Sequence, residues 1–468
     1  MSTETDVLRD RIRTRATTLA APLGRAWTDD RPWRLLTDLT AIGSRMAGSD
    51  GERRAAEVVA AAMREAGVRD VRIDPFELSA WERGGSDLEL TVPRETDAGS
   101  APTTRRFETV ALPYSPAGAV SGELVDVGYG TPEEIDAVDV AGRIAVASTT
   151  TPPGSRFVHR MEKFGYAVEQ GAVGFVFVNH LDGQLPPTGS LTFGAEADAV
   201  AVGVSKESGA WLREYASNTS GPVATVDLSV SARTRPAESR NVVGRIGPDT
   251  DERLLLVAHI DGHDIAEGAL DNGCGIATAV TAAGILADAE LPIGVDVVGV
   301  GAEEIGLLGA ERLAETVDLE TVKAVINVDG AGRFRNLVAL AHDSSAMERV
   351  ADAVAEAIRQ PIETRIEPHP FSDHWPFLRQ GVPAVQLHSD SGERGRGWGH
   401  THADTRDKID DRNVREHAML TALLVAELAD PDREVPRLDP ESLISSFREA
   451  EFEVGMRAAD LWPAGWDG

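Results

Sequence analysis

The sequence predicts an α/β protein with a mixed, largely parallel central sheet, helices on both faces, and a mostly-β unit inserted into the chain. Three observations predict it. From Asn241 onward, short apolar runs alternate with helical periodicities. Between about Trp81 and Glu238, short β-rich runs separated by turn signals dominate. Before Trp81 the chain reads helix, loop, helix, strand.

The elements follow in order. PWRLLTDLTAIGSRMAGSDG, from Pro32, has apolar residues at helical spacing and then a Gly/Ser break. GERRAAEVVAAAMREAGV is a strong amphipathic helix, and VRIDPF a short strand. TVALPYS, GELVDVGYG, GRIAVAST, VGFVFVNH, AVAVGVS and VATVDLSV read as strands of a separate unit, with helices around 157–171 and 206–216. NVVGRIG, LLLVAHID, IGVDVVGVGAEE, KAVINVDG, LVALAHD and PAVQLHS read as strands. GCGIATAVTAAGILADA, LLGAERLAE, SAMERVADAVAEAIRQ and RNVREHAMLTALLVAELA read as the helices between or after them. The expected domains are 1–83 and 237–430 as two parts of one unit, 84–236 as the insertion, and 431–468 as a helical tail.

Bulk composition narrows the function classes. The chain has 468 residues and a net charge of −30, from 76 acidic and 46 basic residues. Lys163, Lys206, Lys323 and Lys408 are its only lysines. So acidic a chain argues against nucleic acid as a partner. The composition suggests adaptation to high salt, where screening removes self-repulsion. A high-GC genome is the alternative source of the arginine bias. The charged N-terminus and the single cysteine, Cys274, lead us to expect a cytoplasmic protein with no internal disulfide and no membrane partner.

Candidate chemistry gathers in the second half. LLLVA ends at His259, IGVDVVGVGA at Glu303 and Glu304, and KAVINV at Asp329. In an open α/β sheet, ligands collect at the carboxyl ends of strands, so these residues should share one edge. Asp271 lies in the glycine-rich turn GALDNGCG before a helix, and His400 follows the glycine-rich loop SGERGRGWGH. Two imidazoles and three carboxylates suit two divalent ions if one carboxylate is shared. With Asp271 bridging, one ion would hold His259 and Asp329 and the other Glu304 and His400. Two ions outweigh three carboxylates by one charge, which would acidify a bound water and polarise a carbonyl. Glu303 would then be the general base, and Asp261 would orient His259. Zinc is expected; cobalt or manganese would fit the same ligands.

HID (259–261), ALDNGCG (269–275), GAEEIGLLGAE (301–311), NVDG (327–330), SDHWPF (372–377) and GHTHADT (399–405) resemble, in order and spacing, the motifs of the di-zinc exopeptidase family. With GSRMAGSDGERRAAEVV, the resemblance covers about 1–83 and 237–430, and implies the zinc exopeptidase fold. The middle segment resembles the protease-associated domain that some members carry. The resemblance assigns His259, Asp271, Glu304, Asp329 and His400 as metal ligands and Glu303 as base. Counting back four residues from Asp404 selects His400 rather than His402. Gly262 stands where serine is frequent, and Gly399 where the glutamate carboxypeptidase branch has an oxyanion-stabilising tyrosine. His374 or a metal ion alone would then serve that role.

The expected activity is that of an exopeptidase on short peptides, most simply an aminopeptidase. A carboxypeptidase or dipeptidase is the first alternative; a glutaminyl cyclase and a non-catalytic binding protein follow. Asp373 and His374 are candidates for the substrate pocket, and Arg394 and Arg396 for holding a substrate carboxylate. His263 and His388 read as structural or exposed, and Cys274 as a small buried side chain. Oligomeric state and end-residue preference have no sequence signal.

Overall fold

The structure, a computed structural model, describes residues 4–93, 95–96, 99–100, 102–220, 222–392 and 397–467. The chain divides into two units. The first comprises Met1–Leu78, Ala237–Gly399 and Ala403–Ser446; the second comprises Ser79–Pro236, His400–His402 and Phe447–Gly468.

The first unit is built on a mixed sheet. Its strand order is Ile362–Arg365, Asn336–Leu340, Ala384–Asp390, Val322–Val328, Arg253–His259, Gly294–Val300, and then residues 242–246. The four strands from Ala384–Asp390 to Gly294–Val300 are mutually parallel. Both faces of these strands are apolar. Leu254, Leu256, Ala258, Val295, Val297, Ala324 and Ile326 pack in one continuous core with residues of the helices Asp50–Glu65, Cys274–Leu286, Ser345–Ile358 and Asp411–Leu428. The alternate residues Leu255, Val257, Val298 and Val325 are also buried. Continuous rather than alternating hydrophobicity is what a sheet covered on both sides requires. Ala269–Leu286 is long and apolar enough by composition to cross a membrane, but 89% of its apolar window is buried inside the protein.

In the second unit, residues 225–230 pair antiparallel with Gly118–Asp126. Gly118–Asp126, Ile144–Ser148, Gly174–Val178 and Val200–Val204 then run parallel, and Val110–Ala111 closes the edge antiparallel. Helices Arg160–Glu169 and Lys206–Arg213 accompany them. Part of the C-terminal tail belongs here. Helix Phe452–Ala458 lies against Arg160–Glu169, where a Cβ on Gly165 would come 2.0 Å from Ala458 O and one on Gly455 2.1 Å from Glu162 Oε2. Arg156 holds Glu162 at 2.7 Å and donates to Glu451 O at 2.8 Å, and Phe447 packs on Phe452 and Trp466.

One local expectation changes. VRIDPF is not a short strand but part of a 24-residue strand, Arg69–Val92, and VATVDLSV and NVVGRIG are the two ends of one 22-residue strand, Thr225–Ile246. Their middle residues are largely half-exposed or exposed. A solvated ribbon carries polar side chains on much of its length, so it lacks the apolar alternation that marks a strand in sequence.

Candidate metal centre

The site begins at the carboxyl edge of the first unit's sheet. His259 is the last residue of Arg253–His259, between the parallel neighbours Val322–Val328 and Gly294–Val300. His259 is level with Val300, and Val257 with Asn327. The residues after those two strands, Glu303, Glu304 and Asp329, therefore emerge at the height of His259. Asp329 N donates to Leu387 O at 3.0 Å. Ser372 Oγ and Gln386 Nε2 donate to Asp329 Oδ2 at 2.7 and 3.2 Å, which leaves Oδ1 as the oxygen toward His259.

Asp271 is carried by a turn between Gly268 and helix Cys274–Leu286. Gly268 has φ +60°, a conformation that favours glycine. The Asp271–Asn272 peptide is cis. Asp404 accepts hydrogen bonds from the main-chain N–H groups of Leu270 and Asp271, at 2.6 and 3.2 Å. A Cβ on Gly262 would lie 3.1 Å from Asp271 O and 3.3 Å from Arg45 Nη2, so glycine after the HID triplet makes room for this turn.

The spacing of these groups suits a metal. His259 Nε2 lies 3.4 Å from Asp271 Oδ1 and 3.8 Å from Asp329 Oδ1. Those distances are long for hydrogen bonds. Two ligand atoms on a tetrahedral zinc, each about 2.0–2.1 Å from it, stand about 3.3 Å apart. His259, Glu303 and Asp329 each offer one ligand atom within 4.8 Å of the others. Burial by itself would lower the His259 pKa, but Glu303, Asp261, Asp271 and Asp329 hold it well above its ordinary value. The carboxylates thus draw positive charge to this point. Burial would raise Asp329, yet His259 and Arg333 keep it below its ordinary value despite nearby Asp271.

Asp261 organises the other side. It is fully buried, with Oδ1 3.5 Å from His259 Nδ1. Its two oxygens accept the main-chain N–H groups of Glu303 and Glu304, at 3.0 and 3.1 Å. One carboxylate thus holds the turn that bears both glutamates and faces the imidazole. Burial, followed by neighbouring Glu304, Asp329 and Asp373, pushes the Glu303 carboxyl well above its usual range, against the pull of His259.

His263, read from the sequence as structural or exposed, is buried with Nε2 2.9 Å from Glu304 Oε2. The remaining predicted residues fall in several places. Asp373 is fully buried, and neither carboxyl oxygen has a hydrogen-bond partner among the described residues. Burial, and the surrounding Asp329, Asp261 and Glu304, raise it well above the usual carboxylate range. His374 is also buried; it stacks on His342 at 4.1 Å, and burial pushes it down to about 3. Arg394 and Arg396 lie outside the described residues. His400 groups with the second unit, where its carbonyl accepts Thr188 N at 2.9 Å. Cys274 is buried, donates to Leu270 O at 3.3 Å, and is pushed by burial up to about 12, so it is an inert thiol. His388 is half-buried and pushed down by burial to about 3.

Residues 241–425 match the model of peptidase family M28, and residues 120–212 that of the PA domain. Residues 241–425 belong to peptidase family M28. Among its relatives, aminopeptidase YwaD of Bacillus subtilis (strain 168) is 24% identical over 416 residues, covering 84% of this chain and 83% of the relative. Carboxypeptidase Q of Homo sapiens is 24% identical over 420 residues, 86% of each chain. The crystal structure of a peptidase M28 precursor from Shewanella amazonensis SB2B covers 92% of this chain and 100% of its own, with TM-score 0.73 and 23% identity. An aminopeptidase from Aneurinibacillus sp. strain AM-1 has TM-score 0.63 at 24% identity, with coverage of 88% and 95%. The family agrees with the sequence motifs: this M28 chain is a metal-dependent exopeptidase with an α/β fold and a PA domain.

Proposed function

We propose that this M28 chain is an aminopeptidase that hydrolyses short peptides with the help of two zinc ions. The observation that carries this reading is the meeting of His259 with Asp271 and Asp329, 3.4 and 3.8 Å from its Nε2 and close to the spacing of zinc ligands, with Glu303 beside them. Asp271 would be shared, with His259 and Asp329 on one ion and Glu304 and His400 on the other. His400 enters this set through its place in the GHTHADT motif. When bound, the ions would acidify a water and polarise the scissile carbonyl.

The chain's own groups supply the rest. Glu303 takes a proton from water at a carboxylate oxygen and returns it to the leaving amine. Asp261 holds the turn that carries Glu303 through the Glu303 N–H, and faces His259 Nδ1 at 3.5 Å. Ser372 and Gln386 occupy Asp329 Oδ2 and so present the other oxygen.

The relative named an aminopeptidase matches over most of both chains, which supports action at the amino end. Carboxypeptidase Q matches over a comparable span, which supports a second reading, cleavage at the carboxyl end. A peptide blocked at the N-terminus, set against one blocked at the C-terminus, separates them. The aminopeptidase reading predicts hydrolysis of the C-blocked peptide alone. Hydrolysis of the N-blocked peptide alone would establish the second reading. We further propose that the acidic composition adapts the enzyme to concentrated salt, so that activity rises from dilute buffer to molar potassium chloride.

A further inference from the structure

The motif GSRMAGSDG lies far in sequence from the metal ligands, yet its arginine reaches their loops. Arg45 is buried, at 1% exposure. Its Nε donates to Ile260 O at 3.0 Å, between His259 and Asp261. Its Nη1 donates to Glu267 O and its Nη2 to Gly268 O, the latter at 2.9 Å. Gly262 N returns a hydrogen bond to Arg45 O at 3.3 Å. One planar guanidinium thus spans the end of the His259 strand and the entry to the Asp271 turn. Gly268 permits the approach, since a Cβ there would stand 2.8 Å from Arg45 Nη2.

Two more buried charged groups fasten the same turn. Asp404 takes the N–H groups of Leu270 and Asp271. Arg333 donates Nε to Leu270 O at 3.1 Å and places Nη2 3.5 Å from Asp271 Oδ1. The main chain leading into the proposed shared ligand, from Glu267 to Asp271, is therefore held by Arg45, Asp404 and Arg333. None of these bonds involves a metal. Among the described residues, the Arg45 guanidinium donates to main-chain carbonyls, while Asp404, Asp261, Glu304 and Asp271 surround it and offset its buried charge through space.

We infer that Arg45 is a positioning residue of the metal centre: it holds the Asp271 turn in its ligand-bearing shape before any metal binds. This rests on the reading of Asp271 as a metal ligand. A lysine at this position keeps the charge but has one nitrogen on a flexible stem, and cannot span three carbonyls in a plane. Charge compensation alone would be rescued by lysine; positioning would not.

The test measures hydrogen exchange in the full-length, chelator-stripped protein, then zinc affinity. In the wild type, the peptide covering residues 267–273 should exchange within about twofold of its rate in the zinc-loaded protein. In Arg45→Lys the same peptide should exchange about tenfold faster without metal, and zinc affinity should fall about tenfold or more. Exchange in the strand Arg253–His259 should stay at the wild-type rate. Wild-type exchange and zinc affinity in Arg45→Lys would overturn the proposal. So would a wild-type turn that orders only when zinc is added, a result available even if the variant fails to fold. A protein that binds no zinc at all would instead refute the metal-centre reading, and the exchange data on the turn would still stand.

Discussion

Asn272 clasps the main chain on both sides of Asp329. Its Nδ2 donates to Val328 O at 2.8 Å, and its Oδ1 accepts Gly330 N at 3.0 Å. The residue after one proposed ligand therefore sets the position of another. The fit is close: a Cβ on Gly275 would lie 1.9 Å from Asn272 Oδ1. Asn272→Ala removes both bonds and leaves a buried N–H and carbonyl unpaired. We expect zinc affinity and kcat/KM each to fall about 10–100-fold, as for other groups that orient metal ligands. A chelator-competition titration and steady-state kinetics check this; unchanged values would show that the clasp does not position Asp329.

Glu303→Gln tests the proton carrier. The amide keeps the shape and the N–H bond to Asp261 but cannot accept a proton from water. We expect kcat to fall about 10²–10⁴-fold with zinc content unchanged. Kinetics with metal analysis of the same sample decides it; near-normal turnover would remove Glu303 from the mechanism.

His263→Ala tests a residue that reads from the sequence as structural or exposed. Its Nε2 contact to Glu304 Oε2 orients that carboxylate within a buried setting. We expect about a tenfold loss of zinc affinity. Isothermal titration with zinc measures it, and affinity equal to the wild type would return His263 to a packing role.

Glu52 predicts a pH dependence of stability. It is buried beside Gly301, accepting Gly48 N at 2.7 Å and Ser239 Oγ. Burial, then nearby Asp261, raises its pKa to about 8 from an ordinary 4.5. The folded chain keeps this proton up to that pH, whereas the unfolded chain releases it near 4.5. The folded state therefore binds more protons in this window, and stability falls as pH rises through it, by up to about 1.4 kcal/mol per unit from this group. Glu52→Gln removes that slope. Its Tm should match the wild type near pH 5 and exceed it at pH 8; a constant difference across the range would contradict the assignment.

The sheet-edge residues were legible because each ligand-type side chain follows an apolar run with nowhere to go but the core. His259, Glu304 and Asp329 are marked by the abrupt change from buried strand to polar loop. Asp271 was marked by the glycines that permit its turn. His263 carries no such signal: a lone histidine in a polar loop reads the same whether it faces water or a buried glutamate. Arg45 was illegible for a related reason. Its hydrogen bonds go to carbonyls more than two hundred residues away, and main-chain acceptors leave no trace in sequence. The long strands look short in sequence because their solvated stretches carry polar residues on both faces.

We propose that His259, Asp271, Asp329, Glu304 and His400 together hold two zinc ions. Zinc titration of the chelator-stripped enzyme, followed by peptide hydrolysis and metal content, tests it most directly. We expect no activity in the stripped protein and full recovery at about two zinc ions per chain. Retained activity after complete removal of metal, or maximal activity with no zinc bound, would contradict it.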